Sequence, residues 1–448
     1  MNNSKGVDEI SLINCLTRNM DVTPDGIALT DKNKSLSWME LYQLVNGLVN
    51  KYEHMVSHQV VLHLSQSIDD VALLFLSDAL NWQVVLVPSY YGREDALEVA
   101  TSCQAQHAIS IRSGKETITT LASDVSNRSN TQSPSVCLMT SGTTGKPKLA
   151  KHTWQSLGGN IKQSDRFRGE KWLLGYPIAH FAGMQVFLQS VINAGQLIIP
   201  SDITPDSGRK LVLEAGVNYL NATPTYLRQI LAGTKLDDWV DTGIKHITLG
   251  GEIADQLTLD LINQYIPQAR VSHIYASTEL GALIRVDDKK EGFPKHLLNE
   301  ETLKIVDETL FVRRPKNAMQ CYLNSDKGVS DWVNTRDLVR LEDERVKFVG
   351  RCDDVINVGG FKVNPVVVEN KLRQLPFIRD VVITAKKSSL AGNLIKVIAS
   401  LEPGFEARDA RVEISLFAKS KLPYFMVPKL FEFVDEVPMT YTNKLKRG

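Results

Sequence analysis

The chain has 448 residues, of which 43% are hydrophobic and 23% are charged, a composition typical of globular proteins. At about 150 residues per domain, this length allows roughly two to four folding units. The 51 basic residues balance the 51 acidic residues, which argues against nucleic acid or an anionic membrane as the main partner. The five cysteines lack the spacing of a zinc site, and no segment approaches the roughly 18 apolar residues of a membrane span. We therefore expect a cytoplasmic protein with reduced thiols and no secretory leader.

The predicted elements alternate between strands and helices over most of the chain. The first are helices at 37–51 and 69–80 and strands at 60–64, 84–87 and 107–111. This alternation is typical of parallel sheets covered by helices. Further strands are predicted at 135–139, 148–153, 172–176, 197–200, 217–222, 244–249 and 271–276. Several end at Gly, Pro or Thr, where α/β proteins place ligand-binding loops.

From about residue 307 the pattern becomes strand-rich, with predicted strands at 309–313 and 345–349. A small unit of mixed helices and strands follows a polar joint, GRCD, at 350–353. Its predicted helices are 365–374 and 411–421, and its predicted strands are 381–385, 395–401 and 430–434. The sequence therefore predicts two folding units on either side of this joint.

One polar loop carries most of the chemical information. Residues 140–148 read TSGTTGKPK and lie between the two strands predicted at 135–139 and 148–153. Hydroxyls and lysines can surround a polyphosphate, and glycines let the backbone approach the anion closely. The glycine spacing and the proline after the first lysine exclude a Walker P-loop. A Ser/Thr/Gly surface linker is the alternative, but the apolar runs on both sides favour a strand, a loop and a strand.

Six further clusters occur along the chain in a fixed order. They are LSWMEL at 36–41, GGE at 250–252, YASTE at 275–279, TRD at 335–337, GRCD at 350–353 and PMTYTNK at 438–444. Together with the loop at 140–148, this series resembles the adenylate-forming superfamily of acyl- and aryl-CoA synthetases, peptide-synthetase adenylation domains and luciferases. The resemblance implies an α/β fold with a large N-terminal domain of helix-covered mixed and parallel sheets plus a β-barrel-like part. It also implies a small mobile α+β C-terminal domain.

The implied boundaries are an N-terminal ATP- and acyl-binding domain at 1–349, a hinge at 350–353 and a lid domain at 354–448. The implied ligands are ATP and Mg²⁺. The hydroxyls of the loop and Lys148 would hold the β- and γ-phosphates. Tyr275 would lie on adenine, with the backbone of Gly250 and Gly251 on its other side. The ATP-binding residues predicted in this way are Thr140, Ser141, Gly142, Thr143, Thr144, Gly145, Lys148, Gly250, Gly251, Glu252, Tyr275, Ala276, Ser277, Thr278, Asp337 and Arg351.

Asp337, Glu279 and Tyr275 have defined roles in the resemblance and also ordinary structural alternatives. Asp337 would bind the ribose hydroxyls, with Arg351 as a second ribose or phosphate contact, and Glu279 would bind Mg²⁺ through a hard oxygen ligand. Tyr275 alone is equally a core aromatic, and Asp337 alone is most often a turn residue. Glu279 is also compatible with the first turn of a helix that Thr278 caps.

Lys444 is the residue that we predict to act in the chemical step. The resemblance implies that it bridges the substrate carboxylate and the α-phosphate, where negative charge accumulates. Without this context, a lysine so near the end of the sequence would be a solvated residue. The C-terminal domain would then rotate about Asp353, so that a thiol from CoA or from carrier-protein phosphopantetheine reaches the acyl adenylate along a channel. Gly359, Gly360 and Phe361 are predicted to line that channel, and the predicted catalytic residues are Lys444, Glu279, Thr143 and His180.

The segment PIAHFAG at 177–183 resembles one wall of the family's acyl pocket. Phe181 stands where domains that activate α-amino acids carry an aspartate, and an aromatic ring cannot neutralise an ammonium. The sequence therefore predicts an aryl or a short-to-medium acyl carboxylate. His180 either bonds a ring substituent or narrows the pocket by its bulk. The other predicted lining residues are Met184, Thr223, Gly250 and Ala282. For Met184, Thr223 and Ala282 an ordinary core position is the alternative.

Three glycines of the family pattern are replaced, by Ala276, Arg336 and Asn443. Alanine is small and asparagine tolerates left-handed backbone, so Arg336 is the least expected of the three. These replacements, with only four residues after Lys444, leave a second hypothesis open. It describes a catalytically weakened member that binds nucleotide or acyl groups.

Overall fold

The structure is a computed structural model. It describes residues 10–55, 59–112, 114–121, 134–140, 147–323, 330–388, 392–441 and 444–447. Six residues of the polar loop, Ser141, Gly142, Thr143, Thr144, Gly145 and Lys146, and the replaced glycine position Asn443 lie outside the described residues.

The described residues form twelve α-helices, which account for most of the predicted amphipathic stretches. They are α1 (Leu12–Val22), α2 (Trp38–Tyr52), α3 (Ile68–Ala79), α4 (Arg93–Ser102), α5 (Trp154–Gly158), α6 (Phe181–Ile192), α7 (Pro205–Glu214), α8 (Pro224–Leu231), α9 (Asp237–Val240), α10 (Gln256–Tyr265), α11 (Pro365–Leu372) and α12 (Ala407–Lys421).

Strands make up the rest of the regular structure in the described part of the chain. They are β1 (Ile27–Thr30), β2 (Ser35–Ser37), β3 (Gln59–Leu64), β4 (Gln83–Pro88), β5 (His107–Arg112), β6 (Lys115–Thr120), β7 (Ser135–Thr140), β8 (Lys148–His152), β9 (Lys171–Leu173), β10 (Gln196–Ile198), β11 (Tyr219–Ala222), β12 (His246–Gly250), β13 (Arg270–Ser277), β14 (Gly281–Val286), β15 (Phe293–Pro294), β16 (Leu303–Val306), β17 (Thr309–Arg313), β18 (Cys321–Tyr322), β19 (Trp332–Glu342), β20 (Arg345–Arg351), β21 (Ile356–Val358), β22 (Phe361–Val363), β23 (Ile378–Ser388), β24 (Gly392–Leu401) and β25 (Leu430–Phe433).

Two large mixed sheets form the body of the N-terminal part. One has the strand order β18-β8-β7-β4-β3-β5-β6, and the other has the order β14-β13-β12-β11-β9-β10-β1-β2. Their inner strands are parallel, whereas β7 and β8 pair antiparallel, as do β13 and β14. A third sheet, β15-β20-β19-β17-β16, is antiparallel. The prediction of an α/β fold with mixed and parallel sheets is therefore confirmed.

The apolar core explains why helices lie on both faces of these sheets. Strand β3 is buried along its whole length, and its side chains alternate between two clusters. Val60 and Leu62 face a cluster shared with α1, α2, α3 and α6, whereas Val61 faces a cluster shared with α4. Burial on both faces favours the Val- and Leu-rich runs that predicted these strands.

The C-terminal part has a core of its own. Strands β23 and β24 pair antiparallel, β25 pairs parallel to β24, and α11 and α12 pack on this sheet. The joint at 350–353 spans the end of β20 and a 3₁₀ turn at Cys352–Asp354. This arrangement is compatible with the proposed boundaries 1–349, 350–353 and 354–448, which stay a prediction.

A cluster of buried charges joins the two parts. Arg228 of α8 lies 3.3 Å from Asp380 of β23, and Arg373 after α11 lies 3.4 Å from Asp255, which caps α10. The side chains of these four residues are 3% to 11% exposed. Buried ion pairs are costly to separate, because each leaves a charge without a partner. The contacts therefore favour the closed arrangement described below.

Most predicted elements are confirmed, with shifts at their ends. The strand expected at 172–176 ends at Leu173, because the amide of Gly175 donates to the carbonyl of Leu173 and turns the chain. The helix expected at 411–421 begins earlier, at Ala407. Among the described residues, no helix is long and apolar enough to cross a bilayer.

Candidate active site

The polar loop joins two neighbouring antiparallel strands, as the sequence predicts. β7 ends at Thr140 and β8 begins at Lys148, and these two residues pair across the ladder. The Thr140 hydroxyl is buried and has no hydrogen-bond partner among the described residues. A buried hydroxyl without a partner is costly unless it binds something. Its position at the start of the loop suits an anion.

Tyr322 contacts both Lys148, a predicted phosphate ligand, and Glu279, the predicted metal ligand. The Lys148 ammonium lies 5.1 Å from the centroid of the Tyr322 ring, within the range of a cation–π contact. The Tyr322 hydroxyl donates a hydrogen bond of 3.2 Å to Oε1 of Glu279. The structure therefore brings Lys148 and Glu279 to the same tyrosine. Burial raises the pKa of Tyr322, so this hydroxyl stays protonated and able to donate.

The residues around Glu279 fit a single Mg²⁺ ion held mainly by its substrate. Glu279 lies in the turn between β13 and β14, so the alternative that it begins a helix is wrong. Its carboxylate supplies hard oxygen ligands, and the described residues contain no cluster of three acidic, His or Cys side chains that would form a complete cage. Mg²⁺ is usually bound by one or two carboxylates together with phosphate oxygens and water. This donor set agrees with that mode.

Asp337 lies at the centre of the predicted ribose site. It belongs to β19, opposite Arg351 of β20, so the alternative of a turn residue is wrong. The Tyr275 hydroxyl donates to one oxygen of its carboxylate, and Arg351 donates to the other over 2.7 Å. Burial raises the pKa of Asp337, while the bonds from Tyr275 and Arg351 oppose this shift. Three predicted ATP ligands therefore lie within one hydrogen-bonded group.

The Tyr275 ring has a structural partner as well. It packs against Phe348 with a distance of 4.7 Å between ring centroids, so it is also a core aromatic. The next residue, Ala276, lies at a bulge where β13 pairs with β14. The backbone of Ala276 is not left-handed, so alanine fits there without the freedom of glycine.

The two residues after Ala276 are fixed from within the protein. Ser277 accepts a hydrogen bond from the amide of Leu280, and the carbonyl of Thr278 lies 2.8 Å from Nε2 of His152. His152 is fully buried at the end of β8. Burial lowers its pKa to about 4, so the ring is neutral near pH 7. It connects the strand that follows the polar loop to the turn that carries Glu279.

Lys444 lies against the glycine pair at the end of β12. Gly251 has φ of +83°, and a Cβ atom there would lie 3.0 Å from Cε of Lys444. Glycine is therefore needed both for the left-handed backbone and for the close approach of the lysine. The carbonyl of the preceding Gly250 accepts a hydrogen bond from the Tyr176 hydroxyl over 3.2 Å. Lys444 is half-buried, so the alternative of a solvated residue is wrong.

Glu252 fixes the chain next to this lysine. One carboxylate oxygen accepts the amide of Leu445 over 2.8 Å, and the other accepts the amide of Thr225 at the start of α8 over 3.1 Å. Burial lowers the pKa of Lys444, Glu252 opposes that shift and Arg351 adds to it. Glu252 therefore connects the two parts of the protein, and its place among the ATP-binding residues stays a prediction.

The predicted acyl wall begins α6. His180 occupies the N-cap position of the helix without a side-chain capping bond, and its Nε2 lies 2.6 Å from the hydroxyl of Tyr90. Burial and the nearby charge of Lys444 lower the pKa of His180 to about 4. Phe181 packs near His152, with 6.2 Å between the ring centroids. Neutral aromatic rings therefore surround this end of α6.

The other predicted lining residues have varied surroundings. Met184 belongs to α6 and is fully buried in the hydrophobic core. Thr223 is also buried, and its hydroxyl caps α8 by accepting a hydrogen bond from the amide of Tyr226. Ala282 is exposed on β14 and pairs with Ala276. Thr223 is also near Gly251, since its Cγ2 would lie 3.8 Å from a Cβ atom there. Their roles in binding an acyl group stay predictions.

The predicted hinge residue has an unexpected partner. Arg336 has φ of +63°, a left-handed backbone that favours glycine, and its guanidinium lies 2.5 Å from Asp353. Arg351 lies 3.9 Å from the other oxygen of Asp353. Both partners are well exposed, with 50% and 37% of their side chains accessible. Arg336 therefore adopts a backbone that glycine favours and adds a contact to the joint.

The predicted thiol-channel residues form a tight hairpin between β21 and β22. Gly359 and Gly360 have φ of +54° and +88°, as in the two central positions of a type I′ turn. Phe361 stacks on Phe425 at 4.4 Å and is 42% exposed. The loop is exposed, and its role in thiol access stays a prediction.

Sequence reasoning missed Tyr322, Tyr90, His152 and Tyr441. Tyr322 and His152 contact predicted site residues, but single aromatic residues without a motif give no signal of this role. Tyr441 stood within the quoted segment 438–444, yet its spacing from Lys444 gave no reason to select it. Tyr90 follows β4 at a strand end, and that position was the only available signal.

Comparison with known proteins agrees with this layout. A sequence model of the AMP-binding enzyme family matches residues 16–322, and a model of the AMP-binding enzyme C-terminal domain matches residues 367–444. The chain is 27% identical over 364 residues to acyl-coenzyme A synthetase ACSM1, mitochondrial, of Mus musculus, covering 71% of this chain and 62% of that protein. It is 25% identical over 410 residues to 3,4-dihydroxybenzoate (aryl-carrier protein) ligase of Bacillus anthracis, covering 89% and 92%.

Longer proteins and solved structures are also similar. The chain is 24% identical to surfactin synthase subunit 3 of Bacillus subtilis (strain 168), of which it spans 38%. The crystal structure of the anthranilate CoA ligase AuaEII in complex with anthranoyl-AMP has the same fold, with a TM-score of 0.78 at 17% identity and coverage of 98% and 96%. The family models match more than half of the chain and contain its motifs at 36–41, 140–148, 250–252, 275–279 and 438–444. The chain therefore belongs to the AMP-binding enzyme family, and its resemblance to adenylate-forming enzymes is confirmed.

Proposed function

We propose that this protein uses ATP to activate a carboxylic acid as an acyl adenylate and then transfers the acyl group to a thiol. The observation that carries the proposal is the position of Lys444 against Gly251, with Leu445 bonded to Glu252. This contact places an ammonium from the C-terminal part beside the predicted ATP and acyl sites. Membership of the AMP-binding enzyme family supports the same reaction.

In the first step, a carboxylate oxygen attacks the α-phosphorus of ATP. A new oxygen–phosphorus bond forms, and the bond to pyrophosphate breaks. Negative charge accumulates on the acid and the α-phosphate, and Lys444 stabilises it from a half-buried position. Tyr275, Asp337 and Arg351 orient the nucleoside, while Thr140 and Lys148 lie at the phosphate end.

Glu279 is the proposed magnesium ligand, with Tyr322 holding its carboxylate. When bound, Mg²⁺ would neutralise charge on the phosphate oxygens. Lys148 supplies a second positive charge on the other side of Tyr322. The described residues at this end therefore offer one anion for the metal and one cation for phosphate.

The acyl wall favours an aryl or a short-to-medium acyl acid over an α-amino acid. The segment 177–183 contains no carboxylate, and His180 and Phe181 are neutral. Glu252 lies close to Lys444 and already accepts two backbone amides. An ammonium at this wall would have no acidic side chain of the segment to neutralise it, which is costly in a half-buried site.

In the second step, the thiol sulfur attacks the acyl carbon, AMP leaves with its bonding electrons, and the thiol proton passes to solvent. CoA and carrier-bound phosphopantetheine offer the same thiol arm. The relatives include an acyl-coenzyme A synthetase and an aryl-carrier protein ligase, so both acceptors belong in the test.

A panel of acids tests the proposal. Aryl, short and medium acyl, and α-amino acids are each mixed with the protein, ATP and Mg²⁺, and pyrophosphate release is measured. We expect release with at least one aryl or acyl acid, and its loss in Lys444→Ala. Absence of release across the panel, with ATP still bound, would support the alternative of a weakened binding protein. Thioester formation with CoA alone then separates the two acceptors.

A further inference from the structure

Three aromatic rings connect the acyl wall to the segment that carries Lys444. The Tyr90 and Tyr441 rings stack with 4.4 Å between centroids and 3° between planes. The His180 ring is nearly parallel to Tyr90, with 5.9 Å between centroids, and the Tyr90 hydroxyl lies 2.6 Å from His180 Nε2. Tyr90 therefore contacts one residue of the acyl wall and one residue of the C-terminal part.

We propose that Tyr441 stacks on Tyr90 as an aromatic latch, which positions Lys444 for adenylation. Tyr441 lies three residues before Lys444, so the stack fixes the chain on the N-terminal side of the lysine. Leu445 fixes it on the C-terminal side, through its bond to Glu252. This proposal rests on the proposed function and adds two positioning residues to it.

Holding the chain on both sides of Lys444 restricts where its side chain can reach. One attachment is an apolar stack and the other is a hydrogen bond to a carboxylate. A lysine side chain has four rotatable bonds and loses much conformational freedom when it is ordered. Contacts at Tyr441 and Leu445 restrict the main chain of Lys444, and its side chain is then ordered by the contact with Gly251.

The geometry sets the size of the expected effect. Tyr441 is 70% exposed, so one ring face contacts Tyr90 and most of the residue is accessible. Parallel aromatic pairs favour their contact by about 2- to 12-fold beyond the area that they bury. The stack contains no charge, because the rings are tyrosines and the pKa values of His180 and Tyr90 are shifted towards their neutral forms. Its contribution should therefore be insensitive to salt.

The latch is expected to act in adenylation and not in the later thiol step. Rotation of the C-terminal part about the predicted hinge would move Tyr441 together with Lys444, since they share one short segment. The stack would then break before the thiol step. Its loss should slow adenylation and should not slow acyl transfer from a preformed adenylate.

Two substitutions of Tyr441 provide a matched pair. Tyr441→Ala removes the ring, whereas Tyr441→Phe keeps the ring and loses only the hydroxyl. Using the acid that reacts fastest in the panel, we would measure pyrophosphate release in a single turnover. Transfer from the purified acyl adenylate to CoA would be measured separately. We expect Tyr441→Ala to lower the first rate by about 2- to 12-fold and to leave the second unchanged, and Tyr441→Phe to restore the first.

A second measurement does not depend on activity. In a Cys352→Ser background, which removes the exposed cysteine, a Tyr90→Cys/Tyr441→Cys protein would be treated with a short bis-maleimide. Mass spectrometry should find the two segments joined within one chain, and each single-cysteine protein serves as the control. Absence of this cross-link would overturn the latch.

The outcomes separate the latch from the proposed function. Cross-linking without pyrophosphate release from any acid would retain the contact but overturn the proposed function, and with it the positioning role. An active parent whose Tyr441→Ala variant is unchanged, or is slowed equally in both steps, would overturn the latch alone. The latch is also overturned if Tyr441→Phe is as slow as Tyr441→Ala.

Discussion

Glu252→Ala is expected to slow adenylation by about tenfold without unfolding the protein. The substitution removes an acceptor for two amides, but only the 2.8 Å bond from Leu445 connects the two parts of the chain. A hydrogen bond to a charged group contributes about 1.5–3 kcal/mol. Glu252 is half-buried, so we take the lower end. About 1.5 kcal/mol corresponds to a roughly 13-fold smaller population of the closed arrangement.

Pyrophosphate release in a single turnover measures this effect, and thermal unfolding measures stability. The bond from Thr225 lies within the N-terminal part, so its loss should lower the melting temperature by a few degrees. Glu413→Ala, on the exposed side of α12, is the control for removing a glutamate from the surface. If Glu252→Ala adenylates at the parent rate while Lys444→Ala is inactive, Glu252 does not hold the lysine in place.

Three further predictions concern protonation and strain. Adenylation needs a charged Lys444, and burial lowers the pKa of this ammonium. Activity should therefore fall with rising pH earlier than it would for an ordinary lysine. Glu252→Gln should move this fall to still lower pH, and a pH–rate profile for each protein checks both expectations. Burial lowers the pKa of His152 to about 4 in the folded protein, so between about pH 6.5 and pH 4 only the unfolded chain binds a proton on this ring. The free energy of unfolding should therefore fall as the pH drops through this range, by at most about 1.4 kcal/mol per pH unit. A smaller slope in His152→Gln, measured by urea unfolding, would confirm the source. Arg336 has left-handed backbone, so Arg336→Gly should be more stable than Arg336→Ile by over about 1 kcal/mol, measured by the same unfolding.

The sequence predicted the elements whose signals are local. Helix α2 is an example, because Ser37 and Glu40 form a capping box at its start and apolar residues recur along one face. The start of α12 was misplaced because Glu406, at its cap position, makes no side-chain hydrogen bond there. The strand at 172–176 was overextended because apolar residues continue after the ladder ends.

The candidate site was predictable where a residue belongs to one of the ordered motifs that resemble the family. Asp337 and Arg351 were selected in this way, and the structure pairs them across β19 and β20. Contacts between distant segments were not predictable, since no periodicity or spacing connects Tyr90 to Tyr441. The contact between Arg336 and Asp353 could not be predicted either, because the φ angle of Arg336 and the position of Asp353 are set by the fold.

The two sides of the site differ in how easily their contacts can break. On the hinge side, Arg336 and Asp353 are exposed, so solvent screens their attraction and separating them costs little. On the acyl side, Lys444 lies half-buried near neutral rings, and moving it away also exposes the Glu252 carboxylate. The C-terminal part is therefore held more firmly around the lysine than around its hinge. For the proposed reaction, departure of pyrophosphate would remove negative charge from the site and with it one attraction that holds the Lys444 ammonium there.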